Sequence, residues 1–147
     1  MKSFLVTLMI MSSNVQAIEL IPTIEGQSQT AIIKVQTIQD DISKNALSAT
    51  CFNLGSLKST LSDLTTLSFS LLEEHAEGKK VLQVAGQAKV LADSTIGFCT
   101  EDASDTYSGN GLTVEKVKFQ NVKALKKRLT NIEQKVNETD LIIRTSF

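Results

Sequence analysis

Residues 51–99 read CFNLGSLKSTLSDLTTLSFSLLEEHAEGKKVLQVAGQAKVLADSTIGFC, and the cysteines at the two ends of this stretch decide the fold. Cys51 and Cys99 are the only cysteines in the chain. Between them Leu54, Leu57, Leu61, Leu64, Leu67 and Leu71 recur at steps of three and four. That is one apolar stripe of a helix, predicted over 55–76 with Asn53 or Ser56 as its cap. Val81, Ala85, Ala88, Ala92 and Thr95 or Ile96 repeat the spacing and predict a second helix over 79–98. Gly78 interrupts the pattern between them.

An unbroken helix from 55 to 98 would hold its ends about 65 Å apart at 1.5 Å per residue. A disulfide needs Cα atoms within about 7 Å. Folding the chain back at residues 76–79 gives two arms of about 33 and 30 Å. Their open ends then meet, each beside one cysteine. The near-equal arms and the even cysteine count agree on a Cys51–Cys99 bond, and closing a loop of this size stabilises a fold by about 4 kcal/mol on a chain-entropy argument.

Upstream, Ala31, Val35, Ile38, Ile42, Ala46 and Ala49 mark a helix over 28–50, with Ser28 as its cap. Downstream, Val122, Leu125, Leu129, Ile132 and Val136 mark a fourth, about 114–138, capped by Thr113. Proline is confined to Pro22, tryptophan is absent, and alternating β-branched runs are missing. The expected fold is all-α. Short connections make successive helices neighbours, so an antiparallel up-down-up-down four-helix bundle is predicted.

The first seventeen residues have a different character. Lys2 precedes the apolar run Phe4–Met11, and Val15-Gln16-Ala17 suits a cleavage site. This is the anatomy of a secretory signal peptide, with an apolar run too short to span a bilayer. The expectation is a cleaved leader over 1–17 and a single helical domain over 18–147. No cysteine stands near the cleavage point, which argues against a lipid anchor. Disulfide chemistry agrees with a secreted or periplasmic protein. The expected mature chain holds 14 basic and 16 acidic residues, a balance that argues against general nucleic-acid binding.

The search for catalytic chemistry leads away from an enzyme. His75 is the only histidine, and its neighbours Glu73, Glu74 and Glu77 lie one or two positions away, off its helical face. It reads as a partly packed histidine at a helix end. No Gly-x-Ser-x-Gly turn, haem-attachment motif, phosphate loop or dinucleotide fingerprint occurs. No cofactor and no metal are expected. Two surfaces remain. The stretch 100–112 is rich in turn formers and carries Glu101, Asp102, Asp105 and Tyr107, the chain's only tyrosine. It lacks calcium-loop spacing and reads as a recognition loop anchored by Cys99. The stretch 113–136 carries a local net charge of +5, with Lys116, Lys123 and Lys127 projecting opposite the apolar stripe. That face suits an anionic partner, and the expected helix lacks exposed aromatics for a membrane anchor, which disfavours lipid insertion. Asn137-Glu138-Thr139 matches a glycosylation sequon, meaningful in a eukaryotic secretory pathway. The function expected is an exported, non-catalytic bundle that binds another protein as inhibitor, adaptor or assembly subunit. The alternative is a carrier of a small apolar ligand between the helices.

Overall fold

The computed structural model describes residues 12–101, 117–119 and 122–147. Four helices pack on one another: α1 Ser12–Ser43, α2 Leu47–Glu74, α3 Gly78–Thr95 and α4 Val122–Ser146. α1 contacts α2 and α4, and α3 contacts α2 and α4, which closes a four-sided core. After α3 a 3-10 turn, Ile96–Phe98, leads into β1 Cys99–Glu101. This strand pairs antiparallel with β2 Val117–Phe119, Cys99 facing Phe119 and Glu101 facing Val117. The all-α expectation holds, with this small ladder as an addition. It also corrects the fourth helix, whose predicted span included 117–119; α4 starts at Val122 and runs on to Ser146. Val122 is exposed rather than part of the seam, and the buried row continues past Val136 through Thr139, Asp140 and Ile143. Thr113, the expected cap, lies outside the described residues.

The first helix is also redrawn. α1 passes straight through Pro22 and Ser28 and stops at Ser43. Ser28 is not a cap but a fully buried member of the row Ile24, Ser28, Ala31, Val35, Ile38 and Ile42. Proline costs a helix one N–H and crowds the preceding turn; here Pro22 sits on the exposed side of a 32-residue helix. The stop comes from Asn45, whose φ of 60° is the left-handed conformation that asparagine tolerates better than most residues. The Asn45 N–H reaches the Ile42 carbonyl at 3.0 Å, and the Ala46 N–H reaches Asp41 at 2.9 Å. Those two bonds make a Schellman ending, with asparagine in the place glycine usually takes. The predicted continuation to residue 50 therefore ends at this turn, and residues 47–50 open α2 instead.

α2 carries Leu54, Leu57, Leu61, Leu64 and Leu71 fully buried, while Leu67 packs at the edge and Ser68 takes the inward position beside it. Its hydroxyl-rich sequence is accommodated locally. Thr60, Thr65, Thr66, Ser68 and Ser70 each donate to the carbonyl four residues back, at 2.8–3.3 Å. Side chains that would compete with the helix are thereby satisfied along it.

The turn to α3 is His75–Glu77. Gly78 does not break a helix but begins one. A Cβ there would lie 2.6 Å from the Leu72 nitrogen and 2.7 Å from its Cα, so only glycine lets α3 start this close to α2. Val81, Ala85, Ala88 and Ala92 then line the inner face with small side chains. At the far end Cys51, inside α2 rather than before it, is joined to Cys99 with Cα atoms 6.0 Å apart.

Polar pairs mark which residues stand side by side. Lys34 of α1 meets Ser56 and Thr60 of α2, and Asp41 meets Asn53. Gln29 meets Asp140 of α4, and Gln36 meets Glu133. Ser94 of α3 meets Arg128 of α4, while His75 meets Phe147.

Candidate interaction surfaces

At the disulfide end three elements come together. The Cys51–Cys99 bond fastens α2 to the first residue of β1, and β1 holds β2 through its ladder. Phe98, just before the cystine, lies under the Arg128 guanidinium, 5.4 Å from ring centroid to Cζ. Arg128 also donates from Nη1 to the Ser94 hydroxyl. One arginine thus joins α4 to the end of α3 by cation–π contact and hydrogen bond. Neither contact is legible in the sequence, because nothing in the spacing of Ser94, Phe98 and Arg128 signals proximity.

Of the residues singled out for partner binding, Glu101 ends β1. Asp102, Asp105, Tyr107 and Lys116 lie outside the described residues. Lys123 and Lys127 are exposed on α4, and Lys126 shares their face. Among the described residues these three lysines have no carboxylate within 4 Å. The later half of α4 behaves differently: Lys135 pairs with Glu138 at 3.8 Å and Arg144 with Asp140 at 3.0 Å. Asn137, in the sequon, is exposed on the same helix.

Two open grooves flank α1. The larger, about 600 Å³, follows the α1–α2 seam and is lined by Thr23, Gly26, Thr30, Ser56, Ser59 and Asp63, among others. The Lys34 ammonium crosses it, donating to the Ser56 and Thr60 hydroxyls at 2.7 Å each. The smaller, about 350 Å³, lies over the α1–α4 seam beside Gln29, Asp140 and Arg144. The lining of the larger is mainly polar, which suits water or a hydrophilic ligand better than an apolar one, while the smaller exposes polar and apolar surface about equally. The sequence reading missed Lys34 and Asp140. The first sits on a helix face with no charged neighbour in sequence to flag it. The second, only 5 % exposed, reads as an ordinary surface aspartate paired at i+4 with Arg144 until Gln29 of α1 is placed against it.

His75 caps the end of α2, its N–H bonded to the Leu71 carbonyl at 2.8 Å, and its ring meets Phe147 edge-on at 5.5 Å. Among the described residues no three His, Cys, Asp or Glu side chains gather where a metal could be held. Nor, among them, is any helix long and apolar enough to cross a membrane. Comparison with known protein families, with curated proteins and with solved structures yields no match.

Proposed function

We propose that the chain is an exported, non-catalytic helical bundle that acts by binding another protein, in a secreted or periplasmic setting. The observation that carries this reading is the Cys51–Cys99 disulfide, which belongs to an oxidising compartment and staples the end of the bundle beside Glu101. Removal of residues 1–17 on export would leave α1 starting near Ile18, still long enough to cover the core row from Ile24 to Ile42. The proposed topology is up-down-up-down. Its support is the order of the paired residues: as α1 runs from Lys34 to Asp41, its α2 partners fall from Thr60 to Asn53. Along α4 the partners of Gln29 and Gln36 fall from Asp140 to Glu133.

The disulfide fixes Cys99, after which the sequence carries Glu101, Asp102, Asp105 and Tyr107, and a fixed anchor in sequence lowers the entropy that an acidic, aromatic contact loses on binding. The test is chemical cross-linking in the native compartment followed by isolation of the complex. One defined protein partner, lost on Asp105→Ala with Tyr107→Ala, is the expected result. Recovery of the chain without any protein partner, together with a thermal shift on adding fatty acids, would replace this reading with the apolar-carrier one.

A further inference from the structure

The basic half of α4 is built against the ordinary electrostatics of a helix. A helix N-terminus carries partial positive charge and favours acidic side chains. The first turn of α4 holds no acidic residue and does hold Lys123. Lys126 and Lys127 follow at the i+3 and i+4 positions, the spacing that brings side chains together on one face. Like charges in that arrangement repel. All three side chains are exposed, and among the described residues none has a carboxylate within reach. Four cations elsewhere do pair, Lys44 with Asp40, Lys89 with Asp93, Lys135 with Glu138 and Arg144 with Asp140; what sets the α4 lysines apart is that three of them share one helical face. Among the described residues the α4 triad is a concentration of positive charge without a paired carboxylate, in a chain whose net charge is −1.

We infer that Lys123, Lys126 and Lys127 form the docking face for a short acidic segment of a partner protein, an inference that rests on the protein-binding reading above. Two features select this occupant. The cations are lysines, point charges that keep their hydration and suit flexible carboxylates, whereas the planar guanidinium suits bidentate phosphate. Among the described residues, the only large apolar side chain exposed in this half of the helix is Val122, which offers neither a stacking ring nor a lipid anchor.

The test uses the full mature chain and a fluorescent hexaglutamate peptide, read by anisotropy at low and rising ionic strength. K123E/K126Q/K127Q is compared with K58E/K79Q/K80Q, which makes the same change in net charge at exposed lysines on α2 and α3. The expected result is salt-sensitive binding that weakens about tenfold in the α4 variant and is unchanged in the other. The α4 variant should also melt no lower than the parent, since Lys123→Glu places an acid at the helix start, so lost binding is not lost folding. Equal loss in both variants would overturn the inference, as would absence of peptide binding at low salt. Capture by vesicles containing phosphatidylserine without capture of the peptide would overturn it in favour of a membrane. A cross-linked native partner that K123E/K126Q/K127Q still retains would leave the protein-binding reading standing and remove this face from it. Peptide binding in a chain with no native protein partner would keep the face and remove the reading.

Discussion

The α2–α3 hairpin and the α1–α4 seam are held by different physics. In the hairpin a glycine admits backbone to within contact distance, alanines keep the helices close, and a disulfide locks the open end. The α1–α4 seam has no covalent tie among the described residues. It relies on the buried rows of the two helices and on two cross-links, Gln29 to Asp140 and Gln36 to Glu133, each a long 3.4 Å. Hydrogen bonds at that length are weak. Buried side-chain oxygens without a partner among the described residues occur on both sides, the Ser28 hydroxyl on α1 and the Asp93 Oδ1 on α3. The hairpin is specified by geometry at single positions, while the seam is specified by summed apolar burial and tolerates imperfection. Local opening, on this view, starts at α1.

The largest test of that contrast is the disulfide. Replacing Cys51 and Cys99 with alanine should lower stability by about 4 kcal/mol, measured by urea unfolding of oxidised and variant protein. A loss near zero would show that the hairpin does not depend on its staple. Next comes a pair of glycines. Gly78→Ala should cost about 1–3 kcal/mol, because the new methyl group meets the Leu72 backbone, which cannot move aside cheaply. Gly26→Ala, on α1 with nothing within 4 Å of the added carbon, should instead stabilise by about 0.5–1 kcal/mol. Equal signs for the two would dissolve the distinction between hairpin and seam. Ser28→Ala removes an unsatisfied buried hydroxyl and improves helix propensity, so a gain of about 1 kcal/mol is expected. A loss in thermal unfolding would mean that the hydroxyl has a partner after all.

The smallest effect belongs to Lys44, beside the α1–α2 turn. The Asp40 carboxylate, by hydrogen bond and then by charge, holds this ammonium above its ordinary pKa. A raised lysine pKa stabilises the fold below the ordinary lysine range, and the contribution disappears as pH rises through the raised value. Asp40→Asn should return the Lys44 titration, followed by NMR, toward its ordinary value. Because the pair is exposed, melting at neutral pH should barely change.

Periodicity carried most of the fold in a legible form. Leu54 to Leu71, Val81 to Ala92 and Leu125 to Val136 were placed on the core faces they occupy, because burial repeats with the helical period whatever the neighbours are. The failures fell at ends. Asn45 gives no stop signal in sequence, since asparagine adopts the left-handed conformation only when the turn demands it. Residues 117–119 read as helix because three residues of strand carry no periodic signal and form only against β1. Of the surfaces, Lys123 and Lys127 were visible as an amphipathic charge pattern. The lack of a paired carboxylate for them among the described residues was not.

By itself the amino-acid sequence determined that four apolar stripes would bury together and that the two cysteines would meet, because helical period and chain reach are local quantities. Only the tertiary structure decided which polar side chains would be shared between helices: Lys34 with the α2 hydroxyls, Asp140 with Gln29, and Arg128 with Ser94. Such pairings depend on how helices far apart in sequence settle against one another, and a side chain's charge contains no information about which neighbour will answer it.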